Sequence, residues 1–411
     1  MKKLVKMFFS ATGNARACLF TEPLWAIPFN LYMPFFTVFM SYLGILDRQI
    51  GLLLALQSFA MIPMALLGGI ITDKFGRRWT TFVFDMFAWG VSSLLFALAQ
   101  NFWWFLVGML INSVQLVTHV SWESLWLDET DPKFVGPFFD LLHITGLLAI
   151  FVSPISGHFV AIYGVVPVIR VIYWFATASF ILKFVLTLIY TKETEIGKIR
   201  MKETKNIKTS SLLKEYGATV KLVIKTPKKL KAVTMQSSMN IINIIIINFV
   251  ALYLVGELYI SPEFLAYFPI LRGSIMLLFL LFAQQWLNKF KSKNIMKFGI
   301  ITYIVAMVIL LIAPRENMFM VLLYVLLEGT AFALLITRVS AMAATAIDSD
   351  DRARQTALFR GISFGLGAPF GLLIGYMSEL NRRLPFLLGI AIFILMISMF
   401  VFEKKTIKPT I

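Results

Sequence analysis

Asn112, Gln115, His119 and Glu123 recur at steps of three and four inside an otherwise apolar stretch, so on a helix all four project from one face. A stripe of amides, an imidazole and a carboxylate can hold a polar solute or relay a proton. In hydrocarbon such groups need a water-filled cavity or a partner, so this face is expected to look into a cavity, with interhelical hydrogen bonding as the alternative. Asp140 and His143 stand three apart on the next apolar stretch, and His143 can titrate near neutral pH. Gln236, Asn240 and Asn243 form a similar stripe further on, while Arg272 and Glu328 fall near the middle of two other stretches. Removing one member of a buried pair strands the other, so Arg272 and Glu328 are expected to compensate each other or to bind a charged solute. Glu22 and Asp85 lie within about two helical turns of a stretch end and are expected to snorkel to interfacial water. The three histidines, His119, His143 and His158, make no metal-binding spacing such as H-E-x-x-H, and no Ser or Cys nucleophile motif occurs. No enzyme and no cofactor are expected. The lone Cys18 cannot form an internal disulfide.

The elements that must position these residues follow from composition. The chain has 411 residues, 59% apolar, with 15% charged where a soluble domain carries about 25%. Such a surface faces lipid. Apolar stretches long enough for about 30 Å of hydrocarbon run over 18–43, 49–71, 79–99, 103–127, 136–160 and 167–190, then over 232–256, 263–286, 295–313, 318–339, 355–377 and 384–402. The reading is an all-α integral membrane protein with twelve transmembrane helices. Most of the 38 Lys and Arg flank span ends on one face, whereas Arg48, Arg170, Arg315, Arg382 and Arg383 fall on the other. The positive-inside rule then places both termini in the cytoplasm. The same distribution argues against nucleic acid, which needs basic residues on one soluble face. The basic N-terminus precedes an apolar run long enough to span, so no cleaved signal peptide is expected.

The Lys-rich segment 191–230 separates a six-span bundle over 1–190 from another over 231–411. Within this linker, Leu212, Tyr216, Val220 and Val223 share one helical face, which suits either a helix lying on an anionic leaflet or a solvated tether. One constant offset superposes the bundles: Asp73, Lys74, Phe75 and Arg78 land on Asn288, Lys289, Phe290 and Lys293. Gly146 and Pro154 land on Gly361 and Pro369, and Glu123 on Arg338.

After the second span comes Gly69-Ile-Ile-Thr-Asp73-Lys74-Phe75-Gly76-Arg77-Arg78. It resembles the signature loop of the major facilitator superfamily, G-x-L-A-D-R-x-G-R-R, at the place that loop occupies. Gly69 is expected to let a helix approach closely, Gly76 to permit a tight turn, and Asp73 to make a state-dependent charge contact. Leu125-Trp-Leu-Asp128-Glu-Thr-Asp-Pro132 is similar to that superfamily's A-L-x-x-D-x-x-P segment, and Asp128 is expected to join Arg77 and Arg78. The resemblance implies two pseudo-symmetric six-helix halves about an axis along the membrane normal, with a binding site between them near the midplane. The segment from Gly146 to Gly157 matches the superfamily's antiporter pattern only in part, with Ser153 and His158 in place of glycines, and no Arg occurs between Arg78 and Arg170. That departure counts against drug–proton antiport.

The implied function is secondary active transport of a small solute across the cytoplasmic membrane by rocker-switch alternating access. Glu123, Asp140, His143 and Glu328 are the groups available for proton coupling, and efflux stands slightly ahead of uptake. A non-transporting receptor or assembly factor of the same fold is the alternative. The expected partners are the bilayer, the solute and protons, for a protein acting as a monomer.

Overall fold

The structure is a computed structural model, and it describes residues 13–205, 225–279, 289–346 and 352–401, with Phe282 and Leu287 besides. Every element among the described residues is helical, as lipid demands: with no water to satisfy backbone groups, each N–H and C=O must be paired within the segment. The first set comprises α1 (Gly13–Tyr42), α2 (Asp47–Phe75), α3 (Arg77–Leu98), α4 (Phe102–Leu127), α5 (Pro132–Ile150 continuing as Ser153–Tyr163) and α6 (Val165–Tyr190). A short linker helix, α7 (Glu195–Thr204), follows. The second set comprises α8 (Pro227–Gly256), α9 (the 3-10 turn Pro262–Tyr267 leading into Phe268–Leu278), α10 (Ser292–Ile312), α11 (Met318–Ala346), α12 (Arg352–Leu380) and α13 (Leu384–Val401). Among the described residues ten helices are long and apolar enough to cross a membrane, and Leu384–Phe400 is a shorter apolar one. The eighth expected span, 263–286, is occupied by α9 as far as Leu278, and most of its remainder lies outside the described residues.

Helix irregularities have local causes. Pro34 withholds a backbone donor, and the chain tightens into a 3-10 turn at Met33–Phe35. Pro154 interrupts α5 in the same way, after the turn residues Phe151 and Val152. Single π-helical turns occur at Met86–Val91 in α3 and Ile245–Phe249 in α8. Gly76 ends α2 and begins α3 with φ of +83°, a conformation a side chain disfavours, so the expected tight turn is present.

The face carrying that turn and α7 is called here the linker face, and the face with the α1–α2 turn the opposite face. One large apolar core joins both helix sets. Two smaller clusters sit at the linker-face ends of corresponding helices. Cys18, Leu125, Trp126 and Phe138 unite α1, α4 and α5; Ala232, Ala343, Leu358 and Phe359 unite α8, α11 and α12. The two clusters are separate from each other.

Candidate functional site

Between the two sets lies a cavity of about 360 Å³. Gln115 and His119 of α4 line one wall, and Gln236, Asn240 and Asn243 of α8 line another, with Arg360 and Ser363 of α12 completing the polar surface. Two stripes read from separate parts of the sequence therefore meet in one hollow. Asn240 Nδ2 donates to the Ser363 carbonyl at 3.2 Å, whereas Asn243 Oδ1 is buried with no hydrogen-bond partner. Arg360 has no hydrogen-bond or ion-pair partner among the described residues. The cavity thus offers a guanidinium and an amide oxygen that have no hydrogen-bond partner among the described residues. Arg360 was countable inside a span from sequence, but nothing in its spacing tied it to the α4 and α8 stripes.

The α4 stripe does not act as a unit. Asn112 Nδ2 donates to the Ala88 carbonyl at 2.7 Å, and its Oδ1 accepts from Gln57 at 2.9 Å and Gln115 at 2.7 Å. It ties α2, α3 and α4 together and does not line the cavity, because Ser113 and Val114 interrupt the helix and shift its phase. Glu123 lies beyond the cavity wall toward the linker face, with its carboxylate 3.9 Å from His119 Nε2. The α5 backbone is described through Asp140 and His143, but their side chains lie outside the described residues.

Arg272 and Glu328 do meet. Arg272 Nη2 donates to Glu328 Oε1 at 3.0 Å, and its Nε lies 2.9 Å from Oε2 without hydrogen-bond alignment. Tyr303 donates its hydroxyl to the same carboxylate at 2.6 Å, and the guanidinium stands 4.0 Å from the Phe332 ring centroid. The pair lines a separate cavity of about 300 Å³, nearer the opposite face and walled on the first-set side by Phe29, Asn30 and Met33 of α1. Glu22 and Asp85 depart from expectation. Neither reaches the interface: Glu22 accepts from Lys183 Nζ at 2.8 Å inside the first set, and Asp85 is 6% exposed. Lys183, on the interior face of α6, supplies the cation that makes burial of Glu22 tolerable.

At the linker face, Arg77 reaches Asp73 and Asp128, each at 3.1 Å, and Asp128 also accepts from Thr194 at 2.8 Å. Arg78 does not join them. Its guanidinium donates to the Leu188 carbonyl, at 2.6 Å from Nη2. Glu193, which sequence reading missed, accepts the backbone N–H groups of Arg77 and Arg78 at 2.9 and 3.0 Å and so caps α3. The close helix approach expected at Gly69 is instead at Gly68, where an added Cβ would lie 3.3 Å from the Leu116 carbonyl; nothing lies within 4 Å at Gly69. This network belongs entirely to the first set and the linker helix.

The two sets lock together at the opposite face. Asp47 on α2, 6% exposed, accepts from Ser378 at 2.7 Å and Arg382 Nε at 3.1 Å. Arg48 Nε lies 3.4 Å from Glu379. Beneath them α2 and α12 touch backbone to backbone: a Cβ at Gly51 would lie 2.5 Å from the Gly371 carbonyl and 2.6 Å from Gly375 Cα. Toward the linker face the same helices are spaced by side chains, Ile62 and Leu66 standing at 3.5 and 3.7 Å from Cβ positions at Gly365 and Gly361. Ser153 of α5 donates to the Ala266 carbonyl of α9 at 2.5 Å, a second buried tie near this face.

Comparison with known proteins agrees with this architecture. The nucleoside transporter NupG superposes with a TM-score of 0.72 at 17% identity, covering 96% of this chain and 100% of that one. The human organic anion transporter MFSD10 gives 0.64 at 14% identity, covering 94% and 98%. The peptide transporter POT in complex with sulfate gives 0.71 at 12% identity, covering 94% of each chain. At such identities these likenesses show the fold alone. No curated protein sequence matches the chain. The family model described as Major Facilitator Superfamily matches residues 24–371, most of the length, and the chain belongs to that superfamily.

Proposed function

We infer that the protein is a secondary transporter that moves a small polar solute by alternating access, with α1–α6 and α8–α13 as the two moving bodies. One observation carries this reading: the sets are locked backbone to backbone at the opposite face and enclose between them a polar cavity nearer the linker face. A closed gate on one side of a two-walled cavity is one end state of a rocking cycle. Gln115, Gln236, Asn240, Asn243 and Arg360 are the proposed solute contacts, and Arg272 with Glu328 forms a second charged element that the solute or a coupling proton engages. Glu123, Asp140, His143 and Glu328 are the proposed coupling groups. The loop residues Asp73, Arg77 and Asp128 hold the first set rigid while it moves. The proposed setting is the cytoplasmic membrane with both termini and the linker inside, the monomer as transporting unit, and export as the favoured direction.

The test uses a disulfide across the closed gate. Arg48→Cys with Glu379→Cys, in a Cys18→Ser background, should oxidise while the gate is closed, because Glu379 accepts the Arg48 backbone N–H at 3.1 Å, which sets the two residues side by side. In sealed proteoliposomes supplied with nucleosides, short peptides, organic anions and amines, flux of any transported solute should stop on oxidation and return on reduction. Flux that persists in fully cross-linked protein contradicts alternating access at this gate.

A further inference from the structure

The interior of the first set contains a third hollow, of about 240 Å³, walled by the aromatic faces of Trp25, Trp89, Trp122 and Phe184. Glu22, Asp85 and Lys183 line it, from α1, α3 and α6. Gln115 and His119 line both this hollow and the central cavity, so the two meet along α4.

The charges in the hollow do not balance. Lys183 Nζ is committed to Glu22 at 2.8 Å. Asp85 shares the hollow with Thr118, whose hydroxyl donates to the Gln115 carbonyl at 2.8 Å, and has no basic side chain within 4.0 Å among the described residues. An ionised Asp85, 6% exposed among aromatic walls, therefore leaves one negative charge without a counter-ion of its own, which calls for a cation. The walls already show what kind of cation they accept. Lys183 Nζ stands 5.7 Å from the Trp25 ring centroid and 5.6 Å from that of Trp122, an ammonium held between two indoles. A metal ion is a poor fit, since Glu22 is held by Lys183 and the remaining oxygen donors of the lining, on Asp85, Thr118 and Gln115, fall short of the roughly six oxygens that hard cations take. The volume, equal to roughly eight waters of liquid, admits an alkylammonium head.

We propose that this hollow is a subsite for an ammonium group carried by the solute, with Asp85 as counter-ion and the Trp25, Trp89 and Trp122 faces as walls. The transported class is then small amines, whose remaining polar atoms extend past Gln115 and His119 toward Arg360. This identification of the solute rests on the transporter reading, but its test does not. Purified full-length protein in detergent, at constant pH and ionic strength because His119 borders the hollow, is titrated calorimetrically with n-butylammonium and with a neutral and an anionic analogue of similar chain length, n-pentanol and valerate. The ammonium should bind saturably, with n-pentanol and valerate at least tenfold weaker. Asp85→Asn, which keeps the side chain's shape and removes its charge, should weaken ammonium binding at least tenfold. Should that variant misfold, Trp122→Leu keeps all three charges and should weaken binding about fivefold. Absence of saturable ammonium binding, equal binding of n-pentanol, or binding unchanged in these variants overturns the proposal. Disulfide-sensitive flux without ammonium binding would overturn the subsite alone; ammonium binding with flux indifferent to the disulfide would overturn the transport cycle alone.

Discussion

Glu328 is 2% exposed and held by both Arg272 and Tyr303, whereas the Arg272 side chain remains 24% exposed and rests on Phe332. The two halves of this pair therefore differ in what they lose when parted. Arg272→Gln strands a buried carboxylate and should cost about 3 kcal/mol or more. Glu328→Gln leaves a guanidinium that keeps its ring contact and cavity access, and retains an acceptor for Tyr303, so about 1–2 kcal/mol is expected. The double variant should recover part of the loss and, since the pair lines a cavity, be stable yet without flux. Thermal unfolding in detergent measures all three; a coupling energy near zero would contradict pairing. Asp73 makes a different case. Its contact with Arg77 is partly exposed and Arg77 keeps Asp128, so Asp73→Asn should lower stability by less than about 1 kcal/mol. Turnover should nevertheless slow with little change in solute affinity, measured at equal protein levels in proteoliposomes. Unchanged turnover would reduce Asp73 to a topogenic residue.

The α2–α12 pair governs the closed gate, and its close approach depends on glycine. A Cβ at Gly375 would lie 2.6 Å from Gly51 Cα and 2.7 Å from the Asp47 carbonyl, with backbone on both sides and no flexible side chain to yield. Gly375→Ala should push the helix ends apart and shift the population toward a form open at the opposite face. The readout is impermeant maleimide labelling of Asn30→Cys in Cys18-free protein, Asn30 lining the cavity nearer that face. Labelling should quicken from the opposite side; an unchanged rate would mean the glycines serve packing only. This scale also shows what the sequence made legible. Span positions and the α8 stripe followed from hydrophobic periodicity, because lipid enforces helices and polar residues stand out against them. The phase break at Ser113–Val114 did not, so Asn112 was grouped with cavity residues it does not join. Lys183 and Glu22 lie far apart in sequence and meet only through packing of α1 against α6, which no local spacing reveals. The one-residue error between Gly69 and Gly68 has the same origin: helix rotation is set by the neighbour, α4, and not by the loop motif.

At the scale of the molecule, the separate linker-face clusters and the single core joining both sets describe an assembly hinged shut at one side. The offset repeat in the sequence has a structural counterpart, since the first, fourth and fifth helices of each set build equivalent clusters. Rocking of two such bodies is the central claim, and it can be tested without knowing the solute. Spin labels at Leu46 and Leu380, exposed on the opposite face, and at Phe75 and Leu230, exposed on the linker face, report the two gates by pulsed electron–electron distance measurement in Cys18-free protein. The prediction is two exchanging populations: one with the opposite-face pair close, as the α2–α12 contacts of this structure require, and the linker-face pair apart, and one with both relations reversed. Gly375→Ala should enrich the second. Distance distributions that stay single at both faces, with and without Gly375→Ala, would contradict alternating access.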